Sequence, residues 1–185
     1  MKVRKVKEFE LNGVVHKFNS RHDVVKIVKS SGVGIELGTA GGDFSKRVLE
    51  ISDLEYLYTV DRFDPDAGRY KAAMYNLLHY RSRSAILKME FSEAVELFSD
   101  RYFDWIYIDG YAHTGQENGQ TFVDWWDKIK TPGIFSGDDY DPEIWPLVVE
   151  NLNQFAEKVQ RDIYVIDCKP GDDWASKSST WFMMR

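Results

Sequence analysis

Cysteine is nearly missing: Cys168 is the only one in 185 residues. A lone cysteine cannot close an internal disulfide, so nothing in the chain asks for an oxidising compartment. Cys168 reads as a small buried residue of a late strand. Long apolar runs are also missing, which excludes a membrane-spanning helix. The N-terminus lacks the apolar core of a signal peptide, so the expectation is a cytoplasmic protein with no membrane partner. Excess positive charge is absent too. A net charge of -6 argues against nucleic acid as a partner, which needs a basic surface, although "MKVRKVK" and "HYRSR" are locally basic. No repeat, low-complexity stretch or linker interrupts the chain. Residues 1–185 are therefore expected to form one domain, with residues 1–20 as an N-terminal hairpin appendage. What is present is ordinary for a globular domain: 43% hydrophobic and 29% charged residues, and length enough to bury about 70% of the unfolded chain's surface.

The pattern starts with Asn12-Gly13 between two alternating runs, which is a hairpin signal. Ser20 is placed to cap a helix carrying Val24, Val25, Ile27 and Val28, with Gly32 ending it. A strand–helix rhythm follows. The strands are "VGIEL", "YLYTV", "AILKM", "FDWIYI" and "IFS", and then "IYVID" and "TWFMM". Between them lie helical patterns, including residues 67–80, 117–129 and 144–159. This predicts an α/β fold: a Rossmann-like, doubly wound, seven-stranded and mainly parallel sheet with helices on both faces. No helix separates the last two strands, so the last strand is expected to run antiparallel.

Ligands of such sheets bind beyond the carboxyl ends of the strands, and here each of the first five ends is polar. The first is followed by Glu36, Gly38 and Gly42, the second by Asp61, and the third by Glu90 and Ser92. The fourth is followed by Asp109 and His113, the fifth by Asp138 and Asp139. The stretch "SGDDYDP" sets two carboxylates side by side, which repel unless something compensates for them. Asp109, Asp138 and Asp139 offer hard oxygen ligands suited to Mg2+, Mn2+ or Ca2+. The plainer alternative is two loop acids pointing apart, one capping the next helix. Asp141 and Glu143 suit that helix's first turn.

"ELGTAGGDF" turns the chain from the first strand into a helix. The dinucleotide fingerprint would need glycine where Ala40 and Asp43 stand, which disfavours a nicotinamide-dependent oxidoreductase. The loop resembles the E/D-x-G-x-G-x-G loop of class I S-adenosylmethionine (SAM) methyltransferases, with Ala40 at the middle glycine. That resemblance implies that SAM is held by Glu36, Gly38, Thr39, Ala40 and Gly42, by Asp61 and Arg62 at the ribose, by Ser92 near the adenine, and by Asp109. Read alone, Ser92 looks like an N-cap with Glu93 in the first turn.

The pattern "IDG.aH", followed 25 residues after the histidine by "DDY", resembles the small-molecule O-methyltransferases related to macrocin O-methyltransferase. Relatives of catechol O-methyltransferase share the metal geometry. The resemblance runs over about residues 32–140. It implies a cation, Mg2+ or Mn2+/Ca2+, on Asp109, Asp138 and Asp139, with the acceptor hydroxyl bound to it. It also implies His113 as the general base, catalytic together with Asp109. Thr121 departs from the pattern where an acid is usual, Gly115-Gln116 where Tyr-Glu is usual, and "KTPG" where "KPGG" is usual. Two other readings stay open: a metal-independent methyltransferase with His113 as base, and a non-catalytic SAM-binding module. Tyr111, Tyr140 and Trp174 are placed to line an acceptor pocket, while Trp125 and Trp126 suit packing. The expected partner is a small hydroxylated molecule, a sugar or phenol, and the N-terminal hairpin is a candidate homodimer surface.

Overall fold

Asn12 and Gly13 both take positive φ, 52° and 79°. That backbone matches the twist of a tight hairpin, and it joins β2 (Glu8–Leu11) to β3 (Val14–Lys17) with Leu11 opposite Val14. The structure, a computed structural model, describes residues 1–63, 67–166 and 179–185. Cys168 and Trp174 lie outside the described residues.

The remaining strands build one sheet. They are β1 (Val3–Val6), β4 (Val33–Leu37), β5 (Tyr56–Asp61), β6 (Ser84–Lys88), β7 (Phe103–Ile108), β8 (Ile129–Gly137), β9 (Ile163–Ile166) and β10 (Thr180–Met184), in the spatial order β1-β9-β10-β8-β7-β4-β5-β6. Neighbours are parallel except at β10, which runs antiparallel to both β8 and β9, as expected for the last strand. The chain winds outward from β4 in one direction through β5 and β6, and returns to β4's other side as β7. The switch point therefore lies between the carboxyl ends of β4 and β7, where open α/β sheets bind ligands.

The sequence predicts seven strands, and the structure adds an eighth. Val3–Val6, assigned to the appendage, pairs in parallel with β9, Val3 opposite Ile163 and Val6 opposite Ile166. Its side chains are mostly exposed, so backbone hydrogen bonds place it and no apolar alternation announces it.

Helices α1 (Asp43–Ile51), α2 (Ala67–Leu77), α3 (Phe91–Ala94), α5 (Gln120–Trp126) and α6 (Pro146–Val159) surround the sheet. Each face has its own core. Phe122, Trp125, Leu152 and Phe155 close one face over Phe103, Ile106 and Phe135. Val24, Phe44, Val48 and Leu49 close the other over Trp105, Tyr107 and Phe182. Both tryptophans of α5 pack, as the sequence suggests: Trp125 is fully buried and Trp126 lies edge-on to Phe135 and Phe155.

Two helices differ from the pattern. The predicted helix after Ser20 is a short 3-10 segment, Arg21–Ile27, that ends before Gly32. The predicted helix over 117–129 is shorter: α4 (Gly115–Asn118) is a left-handed turn with Gln116 and Glu117 at φ 54° and 53°, and α5 runs only from Gln120 to Trp126. Among the described residues no helix is long and apolar enough to cross a membrane.

The hairpin is fastened through Phe9, edge-to-face with Tyr164 at 4.9 Å and with Phe182 at 5.1 Å. Phe9 is half-buried, so Phe9→Ala should lower stability by about 2 kcal/mol, less than a fully buried phenylalanine would. Denaturant titration measures the loss. Amide exchange should quicken in β2 and β3 while β4–β7 stay protected, and unchanged hairpin protection would refute the fastening role.

Candidate active site

The loop after β4 is shaped by close backbone approaches. A Cβ at Gly38 would stand 1.9 Å from the carbonyl oxygen of Asp109, and Gly38 has φ 108°. No other residue fits there. The Gly38 amide donates to Val60 O at 2.8 Å, and the Asp109 amide donates to Leu37 O at 2.7 Å. The loop is thus pinned to the tips of β5 and β7. Ala40 keeps the left-handed backbone of the glycine it replaces, at φ 45°, a strain of about 1–2 kcal/mol. Asp61 braces it: one carboxylate oxygen accepts from the Ala40 amide at 2.9 Å and the other from the Phe63 amide at 2.8 Å. A carboxylate has about four acceptor positions, so Asp61 keeps capacity for hydroxyl donors.

Glu36 is buried beneath this loop and accepts from the Ser45 hydroxyl of α1. Its other oxygen has no partner, and neither does the buried hydroxyl of Thr39. Burial pushes the Glu36 carboxyl up to about 8. Asp109 and Asp61 add to that, against the pull of Ser45 and Arg21. Burial thus favours the neutral form of Glu36, which is tied to α1 through Ser45.

Beside the tip of β6, Glu90 accepts from the Tyr111 hydroxyl and pairs with Arg62 at 3.5 Å. The N-cap of α3 is Glu90 rather than Ser92: the Glu90 amide donates to Glu93, which reaches back at 3.1 Å. Ser92 is exposed in the first turn. With Glu90, Phe91 and Tyr111 it lines a cavity of about 270 Å³ that continues to Glu117, Gln120, Thr121, Asp124 and Trp125. The indole nitrogen of Trp125 is buried and unpartnered. Gly115 is also explained. A Cβ would meet Leu147 O at 2.6 Å, so only glycine lets this turn pack on α6.

The tips of β7 and β8 bring Asp109 and Asp138 together, as the sequence predicts. What joins them is not what it predicts. Arg21, from the segment after Ser20, donates through Nη1 to Asp109 Oδ2 at 3.1 Å and to Asp138 Oδ2 at 2.9 Å. Its side chain is only 10% exposed, and its guanidinium lies 4.8 Å from the Phe44 ring centroid. Thr180 donates to the other oxygen of Asp138 at 3.1 Å, and the Trp181 indole donates to the Asp138 carbonyl at 3.0 Å. Burial pushes the Asp109 carboxyl up to about 6, reinforced by Asp138 and opposed by Arg21. Burial likewise raises Asp138 against the pull of Arg21. Burial works against the charge on Arg21, but its anionic surroundings outweigh this and hold its pKa above the ordinary value.

The expected cation centre on Asp109, Asp138 and Asp139 is not assembled in this arrangement. Asp139 offers its backbone amide to the Asp138 carboxylate. Among the described residues no group of three acidic, histidine or cysteine ligands could hold a metal. These residues do not fit a divalent cation, because Arg21 already neutralises the carboxylates that would bind it. His113 is exposed in the turn Ala112–Thr114, apart from the Arg21 cluster's hydrogen bonds. Tyr140 donates to Asn153 at 3.0 Å. Sequence reasoning missed Arg21, although a signal existed: a cation at the start of a helical segment opposes the helix dipole and needs another reason to be there.

Residues 35–140, more than half of the chain, match the methyltransferase domain family. The chain belongs to that family. No curated protein matches it significantly in sequence. Its fold is that of SAM-dependent methyltransferases. A SAM-dependent O-methyltransferase of Thermotoga maritima is 16% identical, with a TM-score of 0.62 over 89% of this chain and 62% of that one. Precorrin-6y C5,15-methyltransferase of Geobacter metallireducens is 12% identical, with a TM-score of 0.65 over 89% and 83%. Spermidine synthase of Thermotoga maritima is 17% identical, with a TM-score of 0.61 over 96% and 65%. At these identities the likeness concerns the fold of the methyltransferase domain alone.

The raised Glu36 pKa fixes the sign of a pH effect. The folded carboxyl titrates at about 8 and the unfolded one near 4.5, so between those values only the folded state keeps the proton. The Glu36 contribution to stability is full at low pH and is lost as pH rises through about 8, a change of a few kcal/mol. Glu36→Gln should flatten the fall of the thermal midpoint between mildly acidic and mildly alkaline pH, and should be the more stable protein at the alkaline end. Identical slopes for the two proteins would contradict a buried neutral Glu36.

Proposed function

We propose that the protein transfers a methyl group from SAM to a hydroxyl oxygen of a small molecule, a sugar or a phenol, with no step through a metal. The observation that carries this reading is the row of polar groups around the β4–β7 switch point. A left-handed loop lies over β4, Asp61 retains acceptor capacity at β5, and a cavity opens at α3. A carboxylate pair follows at β7 and β8.

In this reading Asp61, beside Arg62, receives the ribose hydroxyls. Gly38, Thr39, Ala40 and Gly42 face the methionine part, with Glu36 holding the loop from beneath. Glu90 and Ser92 border the adenine. SAM, when bound, supplies an activated methyl, and its sulfonium becomes a neutral thioether on transfer. The chain has to orient the acceptor oxygen and accept its proton. Asp109 suits that task. It is 26% exposed, it lies beside the loop, and its pKa of about 6 leaves it mostly ionised at neutral pH yet basic enough to take a proton. In this reading His113, exposed on the next turn, relays that proton to solvent.

The net charge of -6 supports a small-molecule acceptor over nucleic acid. Calorimetry with Asp61→Ala tests the donor assignment. SAM affinity should fall at least tenfold, the loss of about 1.4 kcal/mol of hydrogen bonding, and the thermal midpoint of the apo protein should fall as well, because Asp61 also holds the Ala40 and Phe63 amides. Incubation of the wild type with methyl-labelled SAM and a panel of sugars and phenols should yield an O-methyl ether. Unaltered SAM affinity in Asp61→Ala, or label appearing on nitrogen or carbon only, would overturn this reading.

A further inference from the structure

We infer that the Arg21 guanidinium is a built-in counter-ion that takes the seat of a divalent cation, so that the N-terminal segment positions Asp109 and Asp138 for the reaction. The inference rests on the methyltransferase reading above and deepens it.

The geometry is that of a bridging cation. A single nitrogen, Nη1, reaches Oδ2 of both acids, at 3.1 and 2.9 Å, in the gap between the tips of two adjacent parallel strands. Asp138 also accepts from Thr180 at 3.1 Å and from the amide of Asp139. A bound Mg2+ or Ca2+ would need about six or more oxygen ligands, and the two carboxylates best placed to provide them already share their Oδ2 atoms with Arg21. The guanidinium is held on its own account. Val24, Val25 and Ile27 are buried beneath it, Phe44 offers its ring face, and Asp23 accepts from the Asn19 and Ser20 amides at 2.7 and 2.9 Å. An arginine cannot be titrated off or chelated away. Asp109 is therefore oriented independently of cation supply, and Arg21 is a positioning residue that acts through the carboxylates.

Mn2+ binding and turnover, measured on the full-length chain, test the inference. Wild type should bind no Mn2+ and should turn over equally in chelator and in Mg2+. Arg21→Ala should lose about 100-fold in kcat without metal, the scale of a displaced acid–base group. It should also acquire a Mn2+ site, visible by electron paramagnetic resonance, that Arg21→Ala/Asp138→Asn lacks. Arg21→Lys should remain Mn2+-free and recover part of the activity. Chelator-sensitive wild-type turnover, Mn2+ binding by wild type, or a folded Arg21→Ala that binds no Mn2+ would each overturn the inference. If Arg21→Ala does not fold, the two wild-type measurements still decide. SAM affinity is measured alongside. Its absence in wild type would overturn the methyltransferase reading, while the Mn2+ results would still report on the counter-ion.

Discussion

Two carboxylates that meet at neighbouring strand tips, Asp138 buried and Asp109 26% exposed, repel each other unless a cation is held between them. Arg21 supplies that cation, and much of the rim is organised by the need to keep it there. The pair joins the segment after Ser20 to β7 and β8, and Thr180 brings in β10. Removing one partner of such a buried pair leaves an uncompensated charge, at a cost of roughly 3–5 kcal/mol. Arginine suits the place because its charge is delocalised, permanent and tolerant of an aromatic face.

The same rim collects much of the backbone strain among the described residues. Ala40, Phe63, Tyr111, Gln116, Glu117, Asn118 and Asp139 all have positive φ, and all follow the carboxyl ends of strands β4, β5, β7 and β8. Residues in such conformations persist only where their surroundings over-determine them. Here two apolar cores, one on each face of the sheet, hold the strands, and the loops are fastened to the strand tips by amide–carbonyl and amide–carboxylate bonds. The departures at Gly115 and Ala40 have physical causes of this kind. Gly115 allows a turn to lie on α6, and Ala40 keeps a glycine backbone because Asp61 holds its amide.

Much of the architecture was legible in residue order. Short apolar runs alternating with helical periods gave the parallel sheet, the absence of a helix before "TWFMM" gave the antiparallel last strand, and Asn12-Gly13 gave the hairpin. The meeting of Asp109 and Asp138 followed from their places at the ends of adjacent strands. Strand β1 was not legible, because an edge strand with exposed side chains is placed by backbone pairing and leaves no apolar pattern. The turn at Gly115–Asn118 was hidden for a related reason: packing against α6 imposes it, and the helical period read from residue 117 onward carries no mark of it. Ser92 looked like a cap because serine commonly is one, but Glu90 stands where the strand ends.

Local chemistry and periodicity thus determined, from the sequence alone, which residues stand at the strand tips, because strand ends depend on near neighbours in the chain. The charge that balances the acids was decided only in three dimensions. Arg21 lies 88 residues before Asp109 and 117 before Asp138, and no local rule links them. Desolvation at the assembled rim makes an unpaired carboxylate intolerable, and whichever cation the fold delivers to that gap decides the chemistry available there.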